Sequence, residues 1–384
     1  MTSRSFSWFL LGRFFSQFAA RLGDFLFPLV IYKQSGSLSL SGFALAVEWL
    51  PRVIGLPLCG TLADRFRGGR LFAIADSLRA MLAVLPFFFR DVSMLLAVSA
   101  AFGFLSALSQ VTLERVVAAS GTSLPRTQMS LETINNLAFI LGSAGAGFLV
   151  AYMELHTLFL VVAGLFVCPI PFLWSVGDAR PSARFSLASD VAIAFSILIR
   201  TPRLRHIVLC GFLLSVVSGI VTSTGPAMVG GVFALPSTAF AQAQMWAAVA
   251  TIVGVLLNRH MPGASTYTHW IGLGALAAGL LLTVTAWSFP FWVLGYGVFF
   301  AGIVLFSIYL RCERIAYIPP EHFGKALGVI MVLTAMGFPV GGVLVGCFAH
   351  VLPVRSVAAL AWPVFAMALA WSGTFRMPAH SASQ

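Results

Sequence analysis

Charge is scarce in this sequence, and negative charge is scarcer still. Asp and Glu number 12 against 23 Lys and Arg, and charged residues make up 9% of the chain. A soluble domain carries roughly 25%. With 59% apolar residues, the chain has too few polar side chains to cover a water-facing surface. That excludes a soluble globular protein and leaves a multi-span membrane protein. Cysteine is sparse as well. The five, at 59, 168, 210, 312 and 347, sit in or beside apolar runs without a C-x-x-C pair, which excludes a disulfide framework and a cysteine metal site. The seven His are scattered. No GxxxxGK[ST] loop occurs, so the chain is not itself an ATPase. The lack of a Ser/His/Asp or metal constellation argues against an enzyme, and the lack of a soluble domain argues against a membrane sensor. The formal charge of +11 would suit nucleic acid. However, the basic residues cluster in short segments between apolar runs, the pattern of membrane topology.

What the sequence has in abundance is apolar length. A spanning helix needs about 20 apolar residues. Runs of that order lie at 6–32, 38–63, 70–89, 92–117, 129–151, 155–175, 204–230, 237–258, 267–287, 289–312, 323–349 and 353–374. They predict an all-α membrane protein of twelve transmembrane helices in two pseudo-symmetric six-helix bundles. The first bundle is 1–175, a cytoplasmic linker with a short surface helix near 188–199 occupies 176–203, and the second bundle is 204–384. The first run starts like a signal peptide after Arg4, but it continues through Arg21 and Asp24 to Ile31, so a retained helix is expected. With the N-terminus inside, only Lys33, Arg90 and Arg355 fall outside, while Arg13, Arg21, Arg52 and Arg79 fall within spans. The other 16 of the 23 basic residues fall on the cytoplasmic side. That asymmetry places both termini in the cytoplasm. The halves also repeat. Gly254 to Asn258-Arg259 lies 194 residues after Gly60 to Asp64-Arg65, and Gly142 to Gly147 has a counterpart in Gly337 to Gly342.

The stretch Gly60-x-Leu62-Ala63-Asp64-Arg65-x-x-x-x-Arg70 is a short basic loop between the second and third runs. It resembles the signature loop between helices 2 and 3 of the major facilitator superfamily of transporters. With no Gly three residues after Asp64, it is similar to the drug- and siderophore-exporting branch. The resemblance implies the major facilitator fold, with a substrate site between the bundles near the bilayer midplane. It implies that Asp64 docks on the start of helix 11 and holds the cytoplasmic side closed, with Arg65 and Arg70 at the family's basic positions and Glu114 as a partner in the next cytoplasmic loop. Asn258 replaces the Asp in the second half, so that latch is expected to be weaker. Gly328, Gly337, Pro339, Gly341 and Gly342 resemble a degenerate glycine–proline motif of antiporter helices, or else serve close helix packing. Arg311 to Lys325 loosely resembles siderophore exporters. Span 4 lacks the mid-helix Arg of many proton-driven exporters.

Ionisable residues within spans cost about 2.5–3.5 kcal/mol each on insertion scales, so each is a functional candidate. Arg21 and Asp24 are three apart in span 1, and Glu48 and Arg52 are four apart in span 2. Asp24 lies about nine residues from the outer end of its span and Glu48 about ten from the outer start of its own, so at 1.5 Å per residue their depths nearly coincide. The four are expected to form one cluster. It either carries protons and contacts substrate or consists of neutralised pairs that fix packing. Asp76 and Arg79 read as structure. In the second half a neutral-polar and aromatic wall is expected from Ser218, Thr222, Ser223, Thr224, Gln242, Gln244, Trp246, Tyr296 and Tyr309, unless these are ordinary helix contacts. The combined expectation is a monomeric inner-membrane secondary transporter in the lipid bilayer. It would export an amphiphilic small molecule, a siderophore or hydrophobic drug, by proton antiport, with the proton gradient in place of a cofactor and without a metal. The alternative is a divalent metal-ion exporter resembling ferroportin, for which Gly23-Asp24 is the shared feature.

Overall fold

A computed structural model describes residues 3–66, 68–118, 134–135, 137–138, 141–142, 145–146, 148–150, 152–174, 187–259, 266–318 and 323–374. Among them the secondary structure is helical, with no strand. The helices are α1 (Ser3–Ser35), α2 (Leu38–Arg65), α3 (Gly68–Phe88), α4 (Val92–Ala118), α5 (Leu155–Val167), α6 (Ile170–Trp174), α7 (Leu187–Arg200), α8 (Pro202–Ala227), α9 (Ser237–Arg259), α10 (Thr266–Thr285), α11 (Phe289–Tyr317), α12 (Phe323–Ala335), α13 (Gly337–Phe348), α14 (Val354–Ala359) and α15 (Ala361–Thr374). Each apolar run marked out by the sequence falls on one of them or on a broken pair, except 129–151, which lies largely outside the described residues. The expected short helix near 188–199 is α7. Nine stretches among the described residues are long and apolar enough to cross a membrane. The chain is a multi-pass membrane protein.

A proline lies just past each break within a span, although Pro28 and Pro86 lie inside unbroken helices. A proline removes the hydrogen bond to the carbonyl four residues earlier, and its ring crowds that carbonyl. α5, α12 and α14 end at Val167, Ala335 and Ala359, each four residues before Pro171, Pro339 and Pro363. Short turns join α1 to α2, α3 to α4 and α10 to α11. The first uses Gly36 at φ +63°, where a side chain would be strained, and Ser37 caps α2 by accepting from the Leu40 N–H. The expected loop at 60–70 is shorter than the sequence suggested. Thr61-Leu62-Ala63 are adequate helix formers, so α2 continues to Arg65. The Phe66 N–H closes its last turn on the Leu62 carbonyl, and α3 starts at Gly68.

The early helices pack on one another, α2 on α4, α3 on α4 and α5, and α1 on α5. The later ones do likewise, α10 and α9 on α11, and α15 on α8. α13 lies between α8 and α2 and joins the two sets. Glycine permits this approach on both faces. A Cβ on Gly341 would sit 2.4 Å from the Val216 carbonyl oxygen of α8, and one on Gly342 would sit 2.7 Å from the Gly42 carbonyl oxygen of α2. The glycine–proline stretch of this span therefore serves close helix contact. The same seam carries Ser39, which donates to the Gly346 carbonyl at 2.8 Å and lies 2.8 Å from His350 Nε2. It also carries Trp49 against Phe338, with centroids 4.7 Å apart. Beside it Phe25 stacks on Phe240 at 5.5 Å, and Tyr32 covers Gly230 and Gly231. Gln34, His156 and the Pro86 carbonyl are linked at the same end. The first and second sets are thus held together at the end carrying the turns at 36–37 and 233–236.

Candidate functional site

Four charges expected from the sequence to converge do so. Arg21 Nη1 donates to Asp24 Oδ2 at 3.0 Å within one turn of α1. Glu48 on α2 is 1% exposed. Its carboxyl group lies within hydrogen-bonding reach of Asp24, and Arg52 and Arg21 are the cations within electrostatic reach of it. Arg52 stacks its guanidinium 4.5 Å over the Trp49 ring, the ring that also meets Phe338 across the seam. Two helix positions keep this cluster tight. Gly23 lies against the Phe102 ring, and Gly103 of α4 abuts Glu48 so closely that a Cβ there would be 1.8 Å from the Glu48 carbonyl oxygen. Pro28 and Pro51 cannot donate to the carbonyls of Asp24 and Val47, so the backbone is unratcheted beside both carboxylates.

Asp24 Oδ1 and Glu48 Oε2 are buried and receive no donor. Two carboxyl groups within hydrogen-bonding reach of each other repel when both are ionised. They satisfy one another when a single proton is shared. With two guanidinium groups alongside, the formal charge of the cluster changes by one when that proton arrives or leaves. The Asp24 side chain retains 16% exposure.

A second charged pair lies deeper in the same set of helices. Asp76 and Arg79 form a fully buried ion pair on α3. Arg79 also donates to Ser16 at 3.3 Å and stacks 4.5 Å over Phe166. Three helices meet there, consistent with a packing role. Nearby, Arg13 and Gln17 both donate to Asn135 Oδ1 at 3.2 Å, a contact no sequence motif announces. Of the latch residues, Gly60, Asp64 and Arg65 lie on the last turns of α2 and Glu114 near the end of α4. Their side chains fall outside what the structure describes. Arg70 is exposed at the start of α3.

In the second half the residues expected to line a cavity disperse. Gln242 and Trp246 are exposed, Trp246 at 56%, on a face of α9 shared with Val249, Val253 and Leu256. Ser223, Thr224, Tyr296 and Tyr309 are buried. Thr224 donates to Ile220 and Val221 of its own helix, the Tyr296 hydroxyl lies beside Gln244, and Tyr309 packs on His269 and Phe306. Thr222 is half-buried. Of these, Ser218 borders a cavity of about 160 Å³ between α8, α11 and α12. Its other polar walls are Ser215, Ser307, Thr334 and Arg314. Sequence reading missed these four. The signal available was the stripe Ser307, Leu310, Arg314 at helical spacing. Among the described residues no group of three or more His, Cys, Asp or Glu is placed to hold a metal ion.

A family model described as the Major Facilitator Superfamily matches residues 9–312. The multidrug efflux pump Tap of Mycobacterium tuberculosis (strain ATCC 25618 / H37Rv) is 29% identical over 170 residues, which cover 40% of this chain and 41% of that protein. Its counterpart in Mycobacterium bovis (strain BCG / Pasteur 1173P2) matches to the same extent. The chain thus spans about two fifths of the length of these relatives. Among solved structures, the nucleoside transporter NupG superposes with a TM-score of 0.74 at 15% identity, covering 98% of this chain and 100% of that one. A bacterial homolog of the human lysosomal transporter Spinster, in an inward-facing and unoccupied conformation, superposes with a TM-score of 0.75 at 12% identity, covering 97% of each. At such identities the likeness is one of fold.

Proposed function

The chain belongs to the Major Facilitator Superfamily and is a membrane transporter of small molecules, not an enzyme, and on that premise we propose that it exports an amphiphilic compound across the inner membrane by proton antiport. The architecture proposed is twelve spans in two six-helix bundles, 1–175 and 204–384, joined by the linker 176–203, with both termini cytoplasmic. Partial similarity to a multidrug efflux pump favours a hydrophobic drug over a siderophore as cargo. The observation that carries the proposal is that the Asp24 and Glu48 carboxyl groups lie within hydrogen-bonding reach of each other, each with a buried oxygen that receives no donor.

The cycle follows from that pair. The seam between α2 and α13 is closed in this structure; with both termini cytoplasmic, as proposed, that supports a state whose substrate path opens toward the cytoplasm. A proton held between Asp24 and Glu48 stabilises the pair while the seam is shut. Opening the seam moves α2, and with it Trp49 and Arg52, relative to α13. Any shift of Arg52 and Arg21 against the carboxylates changes the affinity for the proton. Substrate and proton would then alternate, since a ligand shifts the balance of states only by binding them unequally. In reconstituted liposomes with a fluorescent hydrophobic dye as cargo, Asp24→Asn is expected to keep counterflow, which needs binding and reorientation alone. Uphill export driven by a pH gradient is expected to fail. Glu48→Gln is expected to show a milder form of the same split. Loss of both activities in Asp24→Asn would make the residue structural, and persistence of both would place the proton route elsewhere.

A further inference from the structure

We propose that the outward face of α7 docks on the membrane surface, where Arg200 and Arg205 hold the headgroup of an anionic phospholipid. This rests on the chain's being a multi-pass membrane protein and on neither export nor proton coupling. α7 is apolar on two faces, where a helix at a water-facing protein surface is apolar on one. Ile197 and Leu198 face the protein. They pack against Leu204 and Ile207 of α8 and Ala326 and Ile330 of α12. Ala192, Phe195 and Ile199 recur at spacings of three and four, so they share a different face. All three are exposed, Phe195 at 42% and Ile199 at 64%. The protein accounts for one apolar face and leaves the other open.

Depth and charge identify what covers this stripe. α7 runs into the candidate span Pro202–Val232 with Thr201 alone between them, and the Thr201 N–H still closes on the Ile197 carbonyl at 2.9 Å. It packs on the first two turns of α8 and of α12. That puts it at the end of the spans, where hydrocarbon gives way to headgroups. A helix there buries its apolar face about 5–10 Å into the boundary. Arg200 and Arg205 are exposed on either side of Pro202, and among the described residues neither forms an ion pair. Arg203, between them, turns inward, its guanidinium 4.9 Å over the Tyr317 ring and within electrostatic reach of Tyr309. Asp190, the one carboxylate of α7, precedes Arg200 by about 15 Å along the helix, too far to neutralise it. From Asp178 to Arg205 the sequence carries five Arg against two Asp. A basic segment around an exposed apolar stripe matches an acidic leaflet and gains nothing from a zwitterionic one. The long arginine stems let the stripe enter hydrocarbon while the guanidinium groups stay level with phosphate.

The test uses the full chain with its native cysteines replaced by alanine and Ala192→Cys labelled with bimane, in liposomes of phosphatidylcholine containing some phosphatidylglycerol. In one preparation the phosphatidylglycerol chains carry bromine, and in the other the phosphatidylcholine chains do. Quenching then reports which lipid lies against α7. Both leaflets hold both lipids, so the direction of insertion does not matter. Bimane is expected to be quenched, with phosphatidylglycerol enriched beside it over its share of the bilayer by about fivefold for each arginine engaged. Replacing either arginine by glutamine should lower the enrichment. Arg200→Gln with Arg205→Gln should bring it to the bulk ratio. A bimane that neither lipid quenches overturns the inference: quenching by aqueous iodide would show the stripe in water, and shielding from iodide would show a protein partner on it. Absence of enrichment, or enrichment that survives both substitutions, overturns it as well. Native mass spectrometry of the unmodified chain reads the same preference if the cysteine-free chain does not fold. Phosphatidylglycerol should be retained there over phosphatidylcholine and lost in the double variant, and equal retention by both chains would overturn the inference. The readout is lipid contact, so failure of export or of proton coupling leaves it standing, and its own failure leaves both untouched.

Discussion

Replacing Gly103 with alanine adds one methyl group to α4 at the point where it touches Glu48. The added Cβ would lie 1.8 Å from the Glu48 carbonyl oxygen, where real contacts stay beyond 3.0 Å. The obstacle is backbone, so no rotamer change relieves it, and α2 must retreat from α4 by about 1.2 Å. Overpacking of this kind costs about 1–3 kcal/mol. More important, the retreat carries Glu48 with it. Asp24 stays on α1, and a carboxyl pair that shares a proton at hydrogen-bonding distance does not tolerate an extra ångström of separation. A misplacement of about 1 Å costs on the order of 100-fold in processes that depend on alignment. Gly103→Ala is therefore expected to reduce pH-driven dye export in proteoliposomes far more than it lowers the melting temperature in detergent. Gly164→Ala is the control, because nothing lies within 4 Å of a Cβ there. It should leave both measurements close to wild type. Gly103→Ala with wild-type export would refute the argument that contact between α2 and α4 sets the geometry of the Asp24–Glu48 pair.

Three further outcomes are expected. Gly342→Ala would meet the Gly42 carbonyl oxygen at 2.7 Å and prop the seam open, so a cysteine at Ser39 should react several times faster with a membrane-impermeant maleimide. An unchanged rate would mean the seam relaxes around the methyl. Asp76→Ala leaves Arg79 buried without its carboxylate, a change worth about 3–5 kcal/mol, and should sharply reduce folded yield and melting temperature. Wild-type stability would show that Ser16 and the Phe166 ring suffice. Asp64→Asn should slow transport while nearly sparing dye affinity, since it acts on the balance of states rather than on the cavity. Lost affinity with wild-type turnover would count against the latch.

The helical course of the chain was legible because the bilayer enforces a length rule that apolar runs obey. Breaks within spans were legible in principle from Pro171, Pro339 and Pro363, four residues past the observed ends. The meeting of Asp24 with Glu48 followed from counting residues to the end of each span, which works when two helices are joined by a turn as short as Gly36-Ser37. The walls of the second-half cavity did not follow. Serine and threonine in such helices either donate to their own carbonyls, as Ser218 and Thr334 do, or present a free hydroxyl, as Ser215 and Ser307 do, and the sequence does not distinguish the two. The facing of Trp246 and Gln242 was open for a related reason. α9 is apolar nearly all round, so nothing in its pattern fixes which side faces inward. Arg314 was taken for a topology marker in a basic segment, where its spacing from Ser307 carried no weight.

The joint between α2 and α13 has a consequence for speed. Interlocked side chains resist parting because each must leave a fitted hole. Here the closest contacts, Gly42 to Gly342 and Gly346, are backbone on backbone, smooth surfaces with nothing to unhook. Separating the glycines exposes little hydrocarbon, and bringing them together again asks only the few side chains beside them, Ser39, Trp49 and Phe338, to find their rotamers. Beyond the Ser39 hydrogen bond and the Trp49–Phe338 contact, such a joint holds by fit and has little to raise a barrier in either direction. A carrier that must part and rejoin these helices once for every molecule moved would then be limited by its cargo and its proton, and not by the stiffness of its own gate.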